Sequence, residues 1–310
     1  MKVLCISHTP LRGHLDPADS AIAEIDAQIE GLRDRVRAFA PELVVLFAPD
    51  HFNGFFYDLM PSFCIGTAAS AIGDFGTVAG ELSVPTAMAS ACAASLLKQG
   101  IDVAVSHRMR VDHGFANPLQ DIFGGLAEVP VIPVFINSVA PPLPALARSR
   151  ALGRAVGVFA RSTGKRTLFI GSGGLSHEPP VPRYATAPAD VKERLISGRN
   201  PPPAISEARF DRLMQAATSL ARGDPQFKPL NPQWDRQFLD LLKEGRIAEC
   251  DSWSDEEVGR IAGDSAHEVR TWLAAVSAVE ADGHPAVDFT YYREVPEWIA
   301  GFGLLWGDGK

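Results

Sequence analysis

Short apolar runs alternate with longer amphipathic segments along the first half of the chain. Nearly continuous apolar runs of this length are typical of strands that are buried on both faces of a parallel sheet. The strands predicted in this way are Val3–Ile6, Leu43–Phe47, Ile101–Val105, Val129–Ile136 and Thr167–Ile170. Between the first two strands, apolar residues recur every three or four positions, which predicts a helix over Ala18–Ala40. Further helices are predicted over Pro85–Lys98 and Leu143–Ser162, so the order is that of βαβ units.

The pattern changes near Pro179, where clustered prolines interrupt the chain and the remainder has mainly helical periodicity. The helices predicted there are Glu207–Ala221, Pro232–Glu244, Asp255–Ala262 and Ala266–Ala281. No low-complexity linker separates the two parts. We therefore expect one α/β domain over residues 1–310, with a central, mostly parallel sheet flanked by helices and a helical C-terminal third.

Composition narrows the class of protein further. The chain has 29 basic and 37 acidic residues and a net charge of −8, without the excess of lysine and arginine that binding to nucleic acid requires. No apolar run approaches the roughly 18–20 residues that span a bilayer, and the N-terminus does not resemble a signal peptide. The dispersed cysteines Cys5, Cys64, Cys92 and Cys250 suggest reduced, buried thiols. These features predict a cytoplasmic protein without nucleic-acid or membrane partners.

Four histidines follow predicted strands closely, namely His8, His51, His113 and His177. The carboxyl ends of parallel strands meet at one edge of a sheet, where α/β proteins assemble their sites. Any one of these histidines alone could be an ordinary loop residue or a hydrogen-bonded core residue. Four at one edge would instead form a cluster of imidazoles, which suits a transition metal.

Glu268 lies within the predicted helix Ala266–Ala281 and borders its apolar stripe, whereas His267 falls on the polar side. A carboxylate that points toward a core is costly unless it is paired or binds a metal. An interaction with the helix dipole is the alternative. Two histidines and a carboxylate form the facial triad of non-haem Fe(II) enzymes, and an all-histidine zinc site is the competing assignment. Spacing alone does not choose between the two metals.

Other catalytic motifs are missing from the sequence. Neither His177 nor His267 begins a complete HExxH motif, and no GxSxG motif is present. The glycines of Gly171–Gly174 match neither a P-loop nor a dinucleotide-binding motif, and they instead favour a sharp turn that brings the backbone close to a ligand. Asp50 and Asp112 precede histidines directly, so we expect each to stabilise a turn or orient a ligand.

Six segments together resemble the class III extradiol ring-cleavage dioxygenases. They are SHTP (7–10), ELVVLFAPDHFNGFFYD (42–58), IGDFG (72–76), VDHGFANPL (111–119), FIGSGGLSHEPPVP (169–182) and EWIAGFG (297–303). The resemblance runs through nearly the whole chain. It implies an Fe(II) enzyme that cleaves a catechol-type substrate with O₂, here 3-(2,3-dihydroxyphenyl)propanoate and its cinnamate analogue. A zinc-dependent hydrolase and a non-catalytic subunit of the same fold are the rival functions.

The resemblance also implies a role for five residues. His8, His51 and Glu268 would bind the iron, with Glu268 in the shortest motif. His113 would act as proton donor and His177 as proton acceptor, although these two roles could be exchanged. All five residues are present, which disfavours a non-catalytic subunit.

Other expectations concern the substrate and the assembly. The propanoate side chain needs a cationic partner, and the candidates are Arg12, Arg110 and Arg183. The aromatic residues of Phe52–Tyr57 could line the pocket for the ring or could be ordinary core residues. Trp298 and Phe302 would be exposed near the C-terminus, which suggests a homo-oligomer.

Overall fold

A computed structural model of the chain describes residues 1–280 and 285–309. The strands in these ranges are β1 (Lys2–Ile6), β2 (Leu43–Ala48), β3 (Phe63–Gly66), β4 (Ala69–Ile72), β5 (Ala79–Glu81), β6 (Ala104–Ser106), β7 (Met109–Val111), β8 (Val131–Ile136), β9 (Thr167–Ser172), β10 (Pro285–Val295) and β11 (Ala300–Gly309). The α-helices are α1 (Asp19–Phe39), α2 (Thr86–Lys98), α3 (His113–Phe123), α4 (Leu146–Ser162), α5 (Ala189–Ser197), α6 (Pro203–Ala221), α7 (Pro232–Lys243), α8 (Asp255–Ala262) and α9 (Val269–Val279). In this part of the chain, no helix is both long and apolar enough to cross a membrane.

The main sheet has the order β10-β11-β1-β9-β2-β8-β3-β6. Its centre is parallel, because β1, β9, β2 and β8 pair in the same direction. Antiparallel strands extend it on both sides, with β11 against β1 and β3 against β8. A smaller sheet of order β5-β4-β7 lies apart from it. The predicted α/β fold with a mostly parallel central sheet is therefore confirmed.

Helices cover both faces of the main sheet. Successive side chains of a strand point to opposite faces, so Val45 packs with the helices α2, α4 and α9 while Leu46 packs on the other face with α1 and α3. Burial on both faces explains why the central strands have continuous apolar sequences. Each fully buried aliphatic side chain contributes about 1.5–3 kcal/mol to the stability of this core.

The helices α4 and α9 approach each other with backbone in contact. Gly153 and Gly157, one turn apart on α4, face the carbonyl groups of Ala274 and Ala278 on α9. A methyl group at either glycine would overlap the facing carbonyl oxygen. The two glycines therefore fix how closely α9 packs against the rest of its layer.

Two predicted elements differ from the structure. The predicted strand Ile101–Val105 is reduced to β6, a short edge strand that begins only at Ala104. The predicted helix Ala266–Ala281 is divided into a 3₁₀ segment over Asp264–Glu268 and α9, while Ala281 lies outside the described residues. Glu268 therefore stands at the junction of the two segments, and His267 is buried rather than solvent-facing.

The C-terminal third of the chain is helical as far as Val279, as predicted. It ends, however, in a β-hairpin of β10 and β11 that periodicity did not predict. Strand β11 contains four glycines, which lower strand propensity, yet it pairs along the whole of β1. Trp298 and Phe302, expected to be exposed, have only 2% and 1% of their surface accessible. That argument for a homo-oligomer is therefore wrong, because these aromatic side chains fill the core beneath the hairpin.

Substituting Gly153 by alanine tests the close packing of α4 and α9. We expect Gly153→Ala to lower the free energy of unfolding by about 1–3 kcal/mol, because the added methyl group has no space. The matched control is Gly31→Ala, at an exposed position of α1 where nothing lies within 4 Å of the new methyl group. That variant should be about 0.5–1 kcal/mol more stable than the parent, because alanine favours helix over glycine. Urea unfolding, followed by circular dichroism, measures the free energy of unfolding of both variants. Equal changes in the two would contradict the close packing of α4 and α9.

Candidate active site

The adjacent parallel strands β1, β9 and β2 bring three of the predicted site residues to one edge of the sheet. His8 lies two residues beyond β1, His51 three residues beyond β2 and His177 five residues beyond β9. The ring centroids of His8 and His51 are 5.4 Å apart. The sheet order therefore joins side chains that are far apart in the sequence.

Glu268 lies at the centre of this group and is completely buried. Its Oε1 is 3.1 Å from Nε2 of His51 and 3.4 Å from Nε2 of His177. Its Oε2 is 3.6 Å from Nε2 of His8 and accepts a 2.7 Å hydrogen bond from the amide of Gly174. No lysine or arginine of the described ranges pairs with this carboxylate. Burial acts to raise the pKa of Glu268, but the surrounding histidines outweigh it and hold the pKa well below the usual value.

In both His8 and His51, a hydrogen bond holds the other ring nitrogen, Nδ1. Nδ1 of His8 donates to the hydroxyl of Ser172 at 2.9 Å, because that hydroxyl donates its own hydrogen to the carbonyl of Gly114. Nδ1 of His51 donates to the Asp112 carboxylate at 3.0 Å. Both hydrogen bonds therefore leave Nε2 as the nitrogen that faces Glu268, and in protein metal sites such a hydrogen-bond partner orients the imidazole.

The protonation of the two histidines differs. Burial lowers the pKa of His8 to about 3, so its imidazole is neutral, as a metal ligand must be. Burial also acts to lower the pKa of His51, but Asp112 on one side and Glu268 on the other raise it well above its usual value. A proton on His51 thus balances the buried carboxylates, and a metal cation would supply the same positive charge.

These donors fit a divalent transition metal. Two imidazole nitrogens and one carboxylate converge, which matches the two-histidine, one-carboxylate set of non-haem iron proteins. Ring nitrogens of His8, His51 and His113 also lie within 4.8 Å of one another. The geometry therefore admits a second triad, the all-histidine set expected for zinc. In the Glu268 triad, the carboxylate oxygens lie 3.1 Å from Nε2 of His51 and 3.6 Å from Nε2 of His8, and a cation there would also balance the buried charge.

His113 reaches the site from the smaller sheet, not from the predicted strand Ile101–Val105. It is the first residue of α3 and lies two residues beyond the end of β7. Its ring stacks on that of His51, with the ring centroids 4.4 Å apart. Nδ1 of His113 donates to Asp74 at 2.6 Å. Sequence reasoning gave no role to Asp74, although the IGDFG motif that contains it was visible in the sequence.

The two aspartates that precede histidines stabilise loops, as expected. Asp112 accepts hydrogen bonds from the amides of His51 and Gly114 in addition to the imidazole of His51. Asp50 accepts three backbone hydrogen bonds from the residues 53–55 that follow it. Both side chains therefore hold the loop that carries His51 in place.

The loop that carries His177 is fixed by a buried aspartate that sequence reasoning missed. Asp235 on α7 accepts hydrogen bonds of 2.7 and 2.6 Å from the amide and hydroxyl of Ser176, and a third from Tyr292 on β10. Nδ1 of His177 donates to the carbonyl of Leu175 at 2.9 Å. Burial acts to lower the pKa of His177, but Glu268 outweighs burial and raises it.

Glycines allow β9 and the start of α9 to meet. A methyl group at Gly173 would lie 2.8 Å from Cβ of Glu268, and one at Gly174 would overlap the ring of His177. The glycines of Gly171–Gly174 therefore bring the backbone against Glu268 and His177, and their predicted approach to a ligand stays a prediction.

An open cavity of about 990 Å³ lies over the four histidines. Phe52 and Phe56 line it, whereas Phe55 stacks on Phe135 in the core with centroids 3.9 Å apart. Arg12 lies outside the cavity and pairs with Asp26 and Asp121. The arginines along the cavity wall are Arg110, Arg183, Arg194, Arg209 and Arg212. Arg209 and two others were not among the sequence candidates, because helical periodicity does not show which face of a helix borders a cavity.

This fold and cluster define a class of enzyme that opens aromatic rings. Residues 2–303 match the family described as the catalytic LigB subunit of aromatic ring-opening dioxygenase, and the chain belongs to that family. It is a ring-cleaving dioxygenase, an oxidoreductase whose family depends on a metal. The predicted family is confirmed, and the zinc-hydrolase alternative is not supported.

Among individual proteins, the chain is similar to 2,3-dihydroxyphenylpropionate/2,3-dihydroxicinnamic acid 1,2-dioxygenases. Those of Escherichia coli strain K12 and of Shigella sonnei are each 54% identical to it over 302 residues, which cover 97% of this chain and 96% of theirs. A solved structure of an uncharacterized Escherichia coli K12 protein is 13% identical, with a TM-score of 0.49 over 98% of this chain and 99% of that one.

Metal content distinguishes the two possible triads. We expect Glu268→Gln to lose most of its bound iron, because the neutral amide removes the charge that the cation balances. His113→Gln should keep it. Both proteins would be reconstituted anaerobically with Fe(II), desalted and measured for iron per chain, with circular dichroism as a check on folding. Loss of iron from His113→Gln with retention in Glu268→Gln would identify the all-histidine triad instead.

Proposed function

We propose that this chain is an Fe(II)-dependent extradiol dioxygenase in the catabolism of phenylpropanoid aromatics. Its substrates would be 3-(2,3-dihydroxyphenyl)propanoate and 2,3-dihydroxycinnamate. Both atoms of O₂ would enter the propanoate substrate to give the 2-hydroxy-6-oxo-nona-diene-dioate ring-fission product. The observation that carries the proposal is the convergence of His8, His51 and Glu268 beneath a cavity that His113 and His177 also line. The similarity to the dioxygenases named above supports the choice of substrate.

The proposed metal ligands are His8, His51 and Glu268. When bound, Fe(II) supplies a Lewis acid for the two catechol oxygens and an open position for O₂. Hydrogen bonds from both imidazoles to Ser172 and Asp112 would keep their Nε2 atoms directed at the metal. The Glu268 carboxylate would partly neutralise the cation.

The proposed acid–base pair is His113 and His177. His177 is within reach of the metal-binding carboxylate and would accept the proton of a catechol hydroxyl. His113 stacks on His51 from another direction and would donate a proton later in the reaction. The Asp74 carboxylate holds Nδ1 of His113, so it would orient Nε2 toward the substrate. Phe52 and Phe56 would contact the aromatic ring and limit the access of water.

The proposal treats residues 1–310 as one catalytic domain. We also propose a cytoplasmic location, since all four cysteines are buried free thiols. A homo-oligomer stays a prediction, now without the exposed aromatic side chains that suggested it.

Oxygen-dependent turnover tests the proposed reaction. Protein reconstituted with Fe(II) and ascorbate would receive 3-(2,3-dihydroxyphenyl)propanoate anaerobically, and O₂ would then be admitted. We expect a yellow ring-fission product and the uptake of one O₂ per catechol. Protein that holds iron but consumes no oxygen and forms no colour would show that the proposed reaction is wrong.

Variants of the acid–base histidines separate proton transfer from metal binding. We expect His113→Gln and His177→Gln to lower kcat by about 10²–10⁴-fold, the usual contribution of a positioned acid or base, without loss of iron. Asp74→Asn should lower kcat less, because His113 keeps its place but loses a charged hydrogen-bond partner. The control is His107→Gln, at an exposed histidine outside the cavity. Full activity in either site variant would remove that residue from the mechanism.

A further inference from the structure

The arginines along the cavity wall differ in whether an acidic side chain already neutralises them. Arg183 pairs with Glu178 and Asp264, and Arg194 pairs with Asp190 one turn away on α5. Such arginines have a counter-ion within the protein. They have little need of an anionic ligand.

Arg209 on α6 is half-buried and has no acidic partner within the described ranges. Its Nη2 donates a 2.7 Å hydrogen bond to the backbone carbonyl of His51, and its Nη1 donates a 3.3 Å hydrogen bond to Oδ1 of Asn53. Its guanidinium carbon lies 5.5 Å from the centroid of the Phe75 ring. All three partners are neutral, so they hold the guanidinium in position without neutralising it.

This positive charge is also fixed relative to the proposed metal position. His51 binds Arg209 through its carbonyl, while its Nε2 faces Glu268. A single residue, His51, therefore connects the guanidinium to the proposed metal site. Asn53 reinforces this arrangement, since its side-chain Nδ2 donates to the Asp112 carboxylate that also orients His51.

We propose that Arg209 recognises the side-chain carboxylate of the substrate and is the main determinant of specificity for acidic catechols. This inference rests on the proposed function. A catechol whose two hydroxyl groups lie at the metal would extend a two-carbon side chain along the cavity wall, toward the guanidinium. Arginine can bind a carboxylate through two parallel hydrogen bonds, which favours an anionic over a neutral side chain.

Arg110 is the strongest competitor for this role. It also lines the cavity, is half-buried and has no acidic partner in the described ranges, but its guanidinium donates to the side chain of Asn200, an exposed residue. The guanidinium of Arg209 is instead bonded to the backbone of His51, whose imidazole faces Glu268. The structure therefore favours Arg209.

The test compares two substrates of similar size, 3-(2,3-dihydroxyphenyl)propanoate and the neutral 3-propylcatechol. We expect Arg209→Gln to lower kcat/KM for the acid by about 10- to 100-fold, mainly through KM, the range for loss of a hydrogen bond to a charged group. The loss for 3-propylcatechol should be much smaller, because this substrate has no carboxylate, and bound iron should be retained. Arg209→Lys should recover part of the loss, because it restores the charge without the paired hydrogen bonds. Arg194→Gln, at an arginine with its own counter-ion, is the matched control.

The outcomes distinguish this inference from the proposed function. If the parent enzyme cleaves both catechols and Arg209→Gln keeps the preference for the acid, the inference is overturned and the function stands. If only Arg110→Gln lowered kcat/KM for the acid in this way, Arg110 would be the residue that binds the substrate carboxylate. Equal losses for both substrates in Arg209→Gln would show that Arg209 only supports the His51 loop. A parent enzyme that cleaves neither substrate would overturn the function and, with it, the inference.

Discussion

The structure depends on one costly feature, a carboxylate that is buried without a lysine or arginine partner in the described ranges. Glu268 is surrounded by imidazole nitrogens and one backbone amide. An isolated charge in such surroundings would be strongly destabilising. A cation at the proposed site would remove this cost and would link metal binding to the stability of the region. The two neighbouring histidines shift in opposite directions, because burial lowers the pKa of His8 whereas Asp112 and Glu268 outweigh burial and raise the pKa of His51.

Much of the structure serves to keep that carboxylate in place. Glu268 lies at the junction between a 3₁₀ segment and α9, and α9 packs closely on α4 through glycines. Glycines at the end of β9 allow the backbone to pass within contact distance of Glu268. Residues outside the proposed ligand set thus determine where Glu268 lies. The loops of His51 and His177 are held similarly, by Asp112 and Asp235.

The sequence predicted the parts of the site that depend on local pattern. The strands β1, β2 and β9 are continuously apolar and end at polar residues, so the positions of His8, His51 and His177 could be inferred from the sequence. Glu268 was a candidate from its position beside the apolar stripe, but the choice between a metal ligand and a helix-dipole contact needed the family resemblance. Asp74, Asp235 and Arg209 were missed for one reason: each acts on a residue at least 39 positions away in the sequence, and periodicity contains no information on such pairs.

The C-terminal hairpin has a consequence for how the enzyme is made. Ser7, the residue before His8, exchanges hydrogen bonds with Gly303: its amide donates at 3.0 Å, and its hydroxyl accepts at 2.9 Å. Strand β1 therefore completes its pairing only with β11, and Ser7 and Gly303 lie 296 positions apart in the sequence. Contacts so distant in sequence form slowly, because closing so long a loop costs conformational entropy before the contact is gained. A chain synthesised only as far as α9 has every proposed metal ligand, but it lacks the strand that fixes the residue before His8. The proposed metal site would therefore be complete only after β11 has been made and paired.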